Sequence, residues 1–533
     1  MTEPVSTSKA GPGARGALGA SFWPIALYAA LAVLVVPVFP HFMSPNEFSR
    51  WVVAVAVVEF QTVEVTPVIQ TTGIPIDDLS SVEGRLYSNK APGAALVGLP
   101  AYVLARAIVG PPSPQTMRTT INAMRLVAAT LPTLFLAFWL HVVARRLGCT
   151  EDRARTGVVV LLFATPLLAY GLLYFAHALS ALTLFGPWAL LFVSPQTVRN
   201  QILAGALIGL AVLSEYPSAI PAAVILICAL PLLRVRGTLA VMAGGAPFAL
   251  LLAIYNKIAF GSVFSLSSGR EAAANLRALA ESGLFGVGLP RAEYLIGLLA
   301  DPSKGLFVLS PVLLLAVAGI APARRAMSLP AFIALLATPL SILLTIAGYP
   351  NWFGGWTVGA RYLVAALPFL ALLVSMARRF WIESLLLGAS VAAMAAVSLT
   401  FPFIPPEYPA PWVTFAWPIL RDGFVMPNLF HFVWRPLAIA VPFLMVTVAA
   451  ALAVPRRQIA LLFVGAAIWF AAGFIGAAAW QRDNVPYIRA MVEEVHFGKE
   501  GAIARDLPPG PQRTAIESIA RSANAIPPPG WPF

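Results

Sequence analysis

Between Ser44 and Gly93 the chain gathers side chains suited to moving protons and holding anions. Glu47 and Arg50 lie in SPNEFSR, Asp77 and Asp78 in IDDLSS, and Arg85, Tyr87, Ser88 and Lys90 in GRLYSNKAPG. Only 11% of the 533 residues are charged, and polar groups at an apolar boundary are costly unless they are solvated or used. The cluster is therefore read as a catalytic loop. A carboxylate such as Glu47 at a water boundary suits a general base toward a hydroxyl nucleophile. It equally suits the first turn of an interfacial helix capped by Ser44 or Asn46. Asp77 and Asp78 fit shared base and positioning roles, a divalent cation, or a solvated turn. Arg85 and Lys90, with the hydroxyls of Tyr87 and Ser88 beside the Ala91-Pro92-Gly93 turn, fit a phosphate-bearing ligand at membrane level. Anionic lipid headgroups are the simpler occupant.

Three further places carry chemistry. In YPNWFGGWTVGARYL, membrane-interface preference accounts for Trp352, Trp356 and Tyr362. It does not account for Arg361 in a glycine-rich turn, which makes Arg361 a second phosphate candidate; Lys304 in DPSKGLF is a weaker third. His177 in YFAHALS is either a satisfied interfacial histidine or a substrate contact, and Glu215 in SEYPSA reads as structural. The five histidines are scattered without metal-ligand spacing, so a divalent metal stays open only through the carboxylates.

The elements that must position these residues are membrane helices. Hydrophobic content of 59%, mean hydropathy of +0.81 and repeated apolar runs near bilayer length require an all-α polytopic membrane protein. The net charge of +12 sits largely in arginines flanking apolar runs, a topology signal and not a nucleic-acid face. The two cysteines, Cys149 and Cys228, imply no disulfide framework. Apolar runs from residue 22 to 480 give about thirteen spans. Segment 92–110 is nearly long enough to cross. Placing it in the outer interface puts the arginines at 145, 146, 153, 155, 199, 234, 236, 324, 325, 378, 379, 456 and 457 all in the cytoplasm. The expected organisation is a cytoplasmic tail over 1–21, a membrane domain over 22–480 with a first outer loop at about 43–120, and a small extracytoplasmic tail over 481–533. Trp51 to Val58 reads as a short interfacial helix.

The order NE..SR, Asp78 six residues before Gly84, then GRLYSNKAPG, resembles the first outer loop of bacterial GT-C superfamily glycosyltransferases. The likeness is to the polyprenyl-phosphate-dependent mannosyltransferase and aminoarabinose transferase type. FAHALSAL, YNKIAFGS, PSKGLFVLSP and GWTVGARYLVAALPFL resemble later segments of such proteins. The motifs are short and degenerate, and they bear on the superfamily more than on a substrate. The resemblance implies a GT-C-like bundle with juxtamembrane helices in the first outer loop. It also implies a lipid-phosphate sugar donor, an acidic base matched by Glu47 with Asp78 as alternative, and a phosphate-side lysine matched by Lys90. Asn46 stands where many relatives carry Asp, and His177 occupies a region where a second acidic residue is often found. Both departures weaken a metal site.

The reading is an inverting glycosyltransferase in a bacterial inner membrane. Its expected partners are a polyprenyl-phosphate-linked sugar, membrane lipids and a glycan, lipid or protein acceptor, with no nucleic acid. Glu47 or Asp78 acts as base; Lys90, Arg85, Arg361 and Lys304 hold the donor phosphate; Asn46, Arg50, Tyr87, Ser88, His177, Trp356 and Tyr362 contact substrate. A transporter or flippase of lipid-linked sugar is a second class, disfavoured because the charges cluster at span ends and no internal repeat is visible. A polysaccharide ligase or polymerase of related architecture is a third, separated by its diphosphate-linked oligosaccharide donor.

Overall fold

The computed structural model describes residues 22–42, 44–74, 76–272, 277, 286–498 and 507–523. The expected cytoplasmic tail over 1–21 lies outside them, as do parts of the segment 256–304 and of the expected tail 481–533. In an apolar solvent each backbone amide must find its partner within its own segment, so the apolar runs become helices. Among the described residues six are long and apolar enough to cross a membrane, by length and composition: Pro114–Arg146, Val235–Phe260, Leu329–Ala347, Trp381–Leu399, Arg435–Ala453 and Arg456–Ala478. Shorter apolar helices, among them Trp23–Leu34, His177–Phe192 and Val198–Ser214, fill the bundle between them.

Helix association without water to expel relies on close backbone approach. Helices Val198–Ser214 and Val235–Phe260 show it. A Cβ on Gly205 would fall 1.9 Å from the Val241 carbonyl oxygen, and one on Gly244 1.9 Å from that of Ile202.

The segment at 43–120 is packed into the protein rather than spread on its surface. Helix Pro45–Glu59 starts at Ser44, whose carbonyl accepts from the Glu47 and Phe48 amides. The helix takes in the run expected at Trp51 to Val58, and it is buried from Asn46 to Ala56. The cause is a second core cluster: Trp51, Val52 and Val55 pack with Ile121, Met124 and Tyr174, and the Trp51 indole donates to Thr120 Oγ1 at 2.9 Å. Helix Gly93–Val109 has 17 residues, short of the roughly 20 a perpendicular crossing needs. It packs on the loop helix and on Pro114–Arg125, with Arg106 forked onto Glu59 at 2.8 and 2.9 Å.

Between the two loop helices a two-stranded hairpin, β1 (Leu79–Val82) and β2 (Arg85–Ser88), turns at Glu83 and Gly84. Both turn residues have positive φ, 51° and 79°, the backbone that matches strand twist in a two-residue hairpin. At the far end of the chain, helix Ile459–Phe497 runs on well past the apolar segment 459–480. Ile488, Met491, Val492 and Val495 are buried at helical spacing. Helix Pro511–Ala523 folds back against it.

Candidate active site

Two cavities open beside the hairpin, and they share Asn46 and Arg361 in their walls. The first, of about 180 Å³, is lined by Arg50, Lys90, Arg361, His177 and Glu215, with an apolar side formed by Leu184, Pro221 and Ile346. The second, of about 410 Å³, is lined by Asp77, Asp78, Asn351 and Trp356, and by Ala515, Ser518 and Ile519 of the C-terminal helix.

Local structure explains why these side chains meet. Asn46 and Arg50 are one helical turn apart and share a face; Arg50 Nη1 donates to the Asn46 carbonyl at 2.8 Å and also to its side-chain oxygen. Ser49 on the same helix donates to the Asp78 carbonyl at 2.6 Å and meets Ser88 Oγ at 2.7 Å, pinning the loop helix to the open end of the hairpin. That places Asp78 beside Lys90, carboxylate to amine, at 2.9 Å. Burial works against the Asp78 charge, yet Lys90, Arg361 and Arg50 together hold its carboxyl below the ordinary range. Asn89 Nδ2 donates to Glu271 at 2.8 Å.

Arg361 enters from the glycine-rich turn. Gly354 has φ of 76°, and a Cβ there would lie 2.8 Å from Arg361 Nε, so a side chain at 354 would strike the guanidinium. Arg361 lies over the Tyr362 ring at 4.7 Å and donates to the Tyr362 hydroxyl at 2.8 Å. Its Nε, and that of Arg50, are buried without a partner, leaving two donors free for a ligand.

Several expected site residues stand elsewhere. Glu47 is buried and lines neither cavity; its carboxylate accepts from the Tyr174 amide at 2.7 Å. Burial pushes its pKa up to about 7 against the opposing Tyr174 amide, Ser44 hydroxyl, Arg125 and Arg50. Arg85 does not join the cationic wall: its side chain is 68% exposed and pairs with Glu64 at 3.9 Å. Tyr87 packs against Phe260 and Tyr255. Ser88 works through Ser49, as above. Lys304 is enclosed, and its amine donates to the carbonyls of Thr357 and Ile404 at 2.6 and 2.7 Å. Burial, then Arg361, lowers the Lys304 pKa to about 7. It ties the segments of Thr357 and Ile404 together and lines neither cavity. Trp356 lines the larger cavity and Tyr362 the smaller.

Glu215, read from sequence as structural, is the residue that reading missed. Its carboxylate meets His177 Nδ1 at 2.6 Å at the edge of the smaller cavity. Among the described residues no group of three or more His, Cys, Asp or Glu side chains converges that could hold a metal ion.

No family model and no curated protein matches the chain. Among solved structures, it is similar to ArnT from Cupriavidus metallidurans bound to undecaprenyl phosphate, with 14% identity and a TM-score of 0.48 over 93% of this chain and 82% of that one. It is also similar to the archaeal oligosaccharyltransferase AglB from Archaeoglobus fulgidus, in complex with an inhibitory peptide and a dolichol-phosphate: 14% identity, TM-score 0.40, 81% of this chain and 56% of that one. A third is the arabinosyltransferase EmbB from Mycobacterium smegmatis, at 12% identity and TM-score 0.37, over 90% of this chain and 42% of that one.

Proposed function

We propose that this chain is an extracytoplasmic-facing membrane glycosyltransferase that moves one sugar from a polyprenyl-phosphate carrier to an acceptor hydroxyl or amine with inversion. The observation that carries the reading is the junction of the two cavities at Asn46 and Arg361. One cavity offers cations beside an apolar wall, as a lipid phosphate requires. The other offers carboxylates and an indole, as a sugar-bearing or amine acceptor requires. The loop motifs that resemble GT-C glycosyltransferases support the same class.

In this scheme Arg50, Lys90 and Arg361 hold the donor phosphate, and the carrier chain lies against Leu184, Pro221 and Ile346. The acceptor enters past Trp356. Its oxygen or nitrogen bonds to the anomeric carbon as the carbon to phosphate-oxygen bond breaks. The electron pair leaves with the phosphate, and the acceptor proton passes to Asp78. Positioned cations stabilise the charge that grows on the leaving phosphate. Asp78 takes the base role in place of Glu47 because it faces the acceptor cavity and stays ionised, whereas Glu47 is turned into the protein.

The test is chemical. The purified protein in lipid, given a panel of polyprenyl monophosphate sugars and envelope extract as acceptor, should release polyprenyl phosphate and place one sugar on an acceptor. In the organism that carries this protein, a deletion should remove one sugar from the envelope glycans, glycolipids or glycoproteins, read by mass spectrometry. Turnover of diphosphate-linked oligosaccharide alone would move the assignment to a ligase or polymerase.

A further inference from the structure

The smaller cavity contains more than a phosphate needs. Arg50, Lys90 and Arg361 can only donate hydrogen bonds. Set among them, His177 lines the same cavity, is 5% exposed, and is enclosed edge-on by Tyr170 and Tyr362 at ring separations of 5.2 and 6.0 Å. Its Nδ1 is taken by Glu215 at 2.6 Å, while Nε2 is buried without a partner. Glu215 is acceptor-only as a carboxylate. Burial opposes its charge, but His177 and Arg50 hold its carboxyl below the ordinary range. With one proton on the ring, that proton therefore sits on Nδ1, and Nε2 is left as an acceptor. A second orphaned acceptor, Asn89 Oδ1, belongs to the same lining.

A bare phosphate ester supplies no donor to these two atoms, and an unpaired buried acceptor is costly. A hydroxyl or ammonium group next to the phosphate satisfies them. We infer that His177, locked in its tautomer by Glu215, reads a hydrogen-bond donor of the transferred sugar, so that the smaller cavity selects glycosylated over bare polyprenyl phosphate. This rests on the glycosyl-transfer reading and adds to it a specificity contact and a positioning residue, Glu215. Sites built to bond a substrate hydroxyl discriminate strongly against ligands that lack it.

The test compares binding of polyprenyl phosphate with that of its mannosyl, glucosyl and arabinosyl phosphodiesters to the full-length protein in nanodiscs. The wild type should bind at least one glycosyl form about ten- to a hundredfold more tightly than the bare lipid. His177→Phe should lose that preference while keeping its affinity for the bare lipid. Glu215→Ala should lose most of it, and Glu215→Gln, whose amide oxygen still accepts from Nδ1, should keep most. Nitrogen NMR of the labelled imidazole should show Nε2 unprotonated in the wild type. A preference unchanged in folded His177→Phe, no preference in the wild type, or a proton on Nε2 overturns the inference. If the preference tracks His177 but no sugar is transferred, the glycosyltransferase reading fails and the sugar contact stands.

Discussion

Asp78 and Lys90 stand 2.9 Å apart where the hairpin ends, and each faces a different cavity. The ion pair joins the proposed base to the proposed phosphate site, so a change at either residue is felt by both halves of the reaction. Their coupling sets the first predictions.

Asp78→Asn should lower the rate of sugar transfer about 100-fold or more, the loss typical of a positioned general base, with a much smaller change in donor binding through the loss of the Lys90 pair. Glu47→Gln should stay within about threefold of wild type, since a glutamine oxygen still accepts from the Tyr174 amide and neither cavity is touched. Initial rates on the two purified variants decide it; the reverse order would return the base role to Glu47.

On the phosphate side, Lys90→Ala and Arg361→Ala should each cost about 1.5 to 3 kcal/mol of donor use, roughly ten- to a hundredfold. Lys90→Arg should cost less because it keeps the charge. Arg85→Ala, by contrast, should leave donor use unchanged, as its side chain is 68% exposed and pairs with Glu64. Donor titrations of rate measure all four.

The pH dependence has a sign. Lys90 helps to hold the Asp78 carboxyl below its ordinary range, so the acid limb of the rate profile in wild type lies below that range. In Lys90→Met the carboxylate loses that cation and keeps its burial, so the acid limb should move to higher pH. A limb that stays in place, or moves down, would separate Asp78 from proton transfer.

Glu47 gives a stability signature. Its folded pKa, about 7, is raised from 4.5, so native packing favours the neutral acid. Its stabilising contribution is full below the unfolded pKa and is lost as pH rises from about 4.5 through about 7. Thermal unfolding in detergent should show wild type losing stability across that window relative to Glu47→Gln. Parallel curves for the two proteins would contradict the buried placement.

Topology is testable with single cysteines in a background lacking Cys149 and Cys228. The C-terminal helix lines the same cavity as Asp78, so Arg85→Cys and Thr514→Cys should label together from outside intact cells with an impermeant reagent. Arg324→Cys should label only after permeabilisation.

The helical membrane class was legible because it follows from composition, and the same composition makes the polar cluster after Ser44 stand out. Long apolar runs force helices, and a polar cluster in a chain so poor in charge must be doing something. The direction of each side chain was not legible. Asn46, Glu47 and Arg50 all lie within the first two turns of one helix, and a step of about 100° per residue separates the pair that faces the cavities from the carboxylate that faces Tyr174. The difference between Lys304 and Arg361, both cations in segments between helices, lies in which carbonyls surround them, a tertiary fact. The partnership of His177 and Glu215 joins the start of one helix to the end of another, 38 positions away, and no local pattern announces it. The C-terminal wall of the larger cavity was hidden for a different reason: the buried positions from Ile488 to Val495 have helical spacing, but they follow a run of polar residues that reads as the end of a span.

The most direct measurement uses the purified protein in liposomes loaded with a polyprenyl monophosphate sugar and supplied with an acceptor extract, with both products followed by mass spectrometry. The account predicts that free polyprenyl phosphate and glycosylated acceptor appear in equal amounts, and that Asp78→Asn abolishes both together. Movement of intact lipid-linked sugar between leaflets, with no polyprenyl phosphate released, would contradict it and identify a transporter.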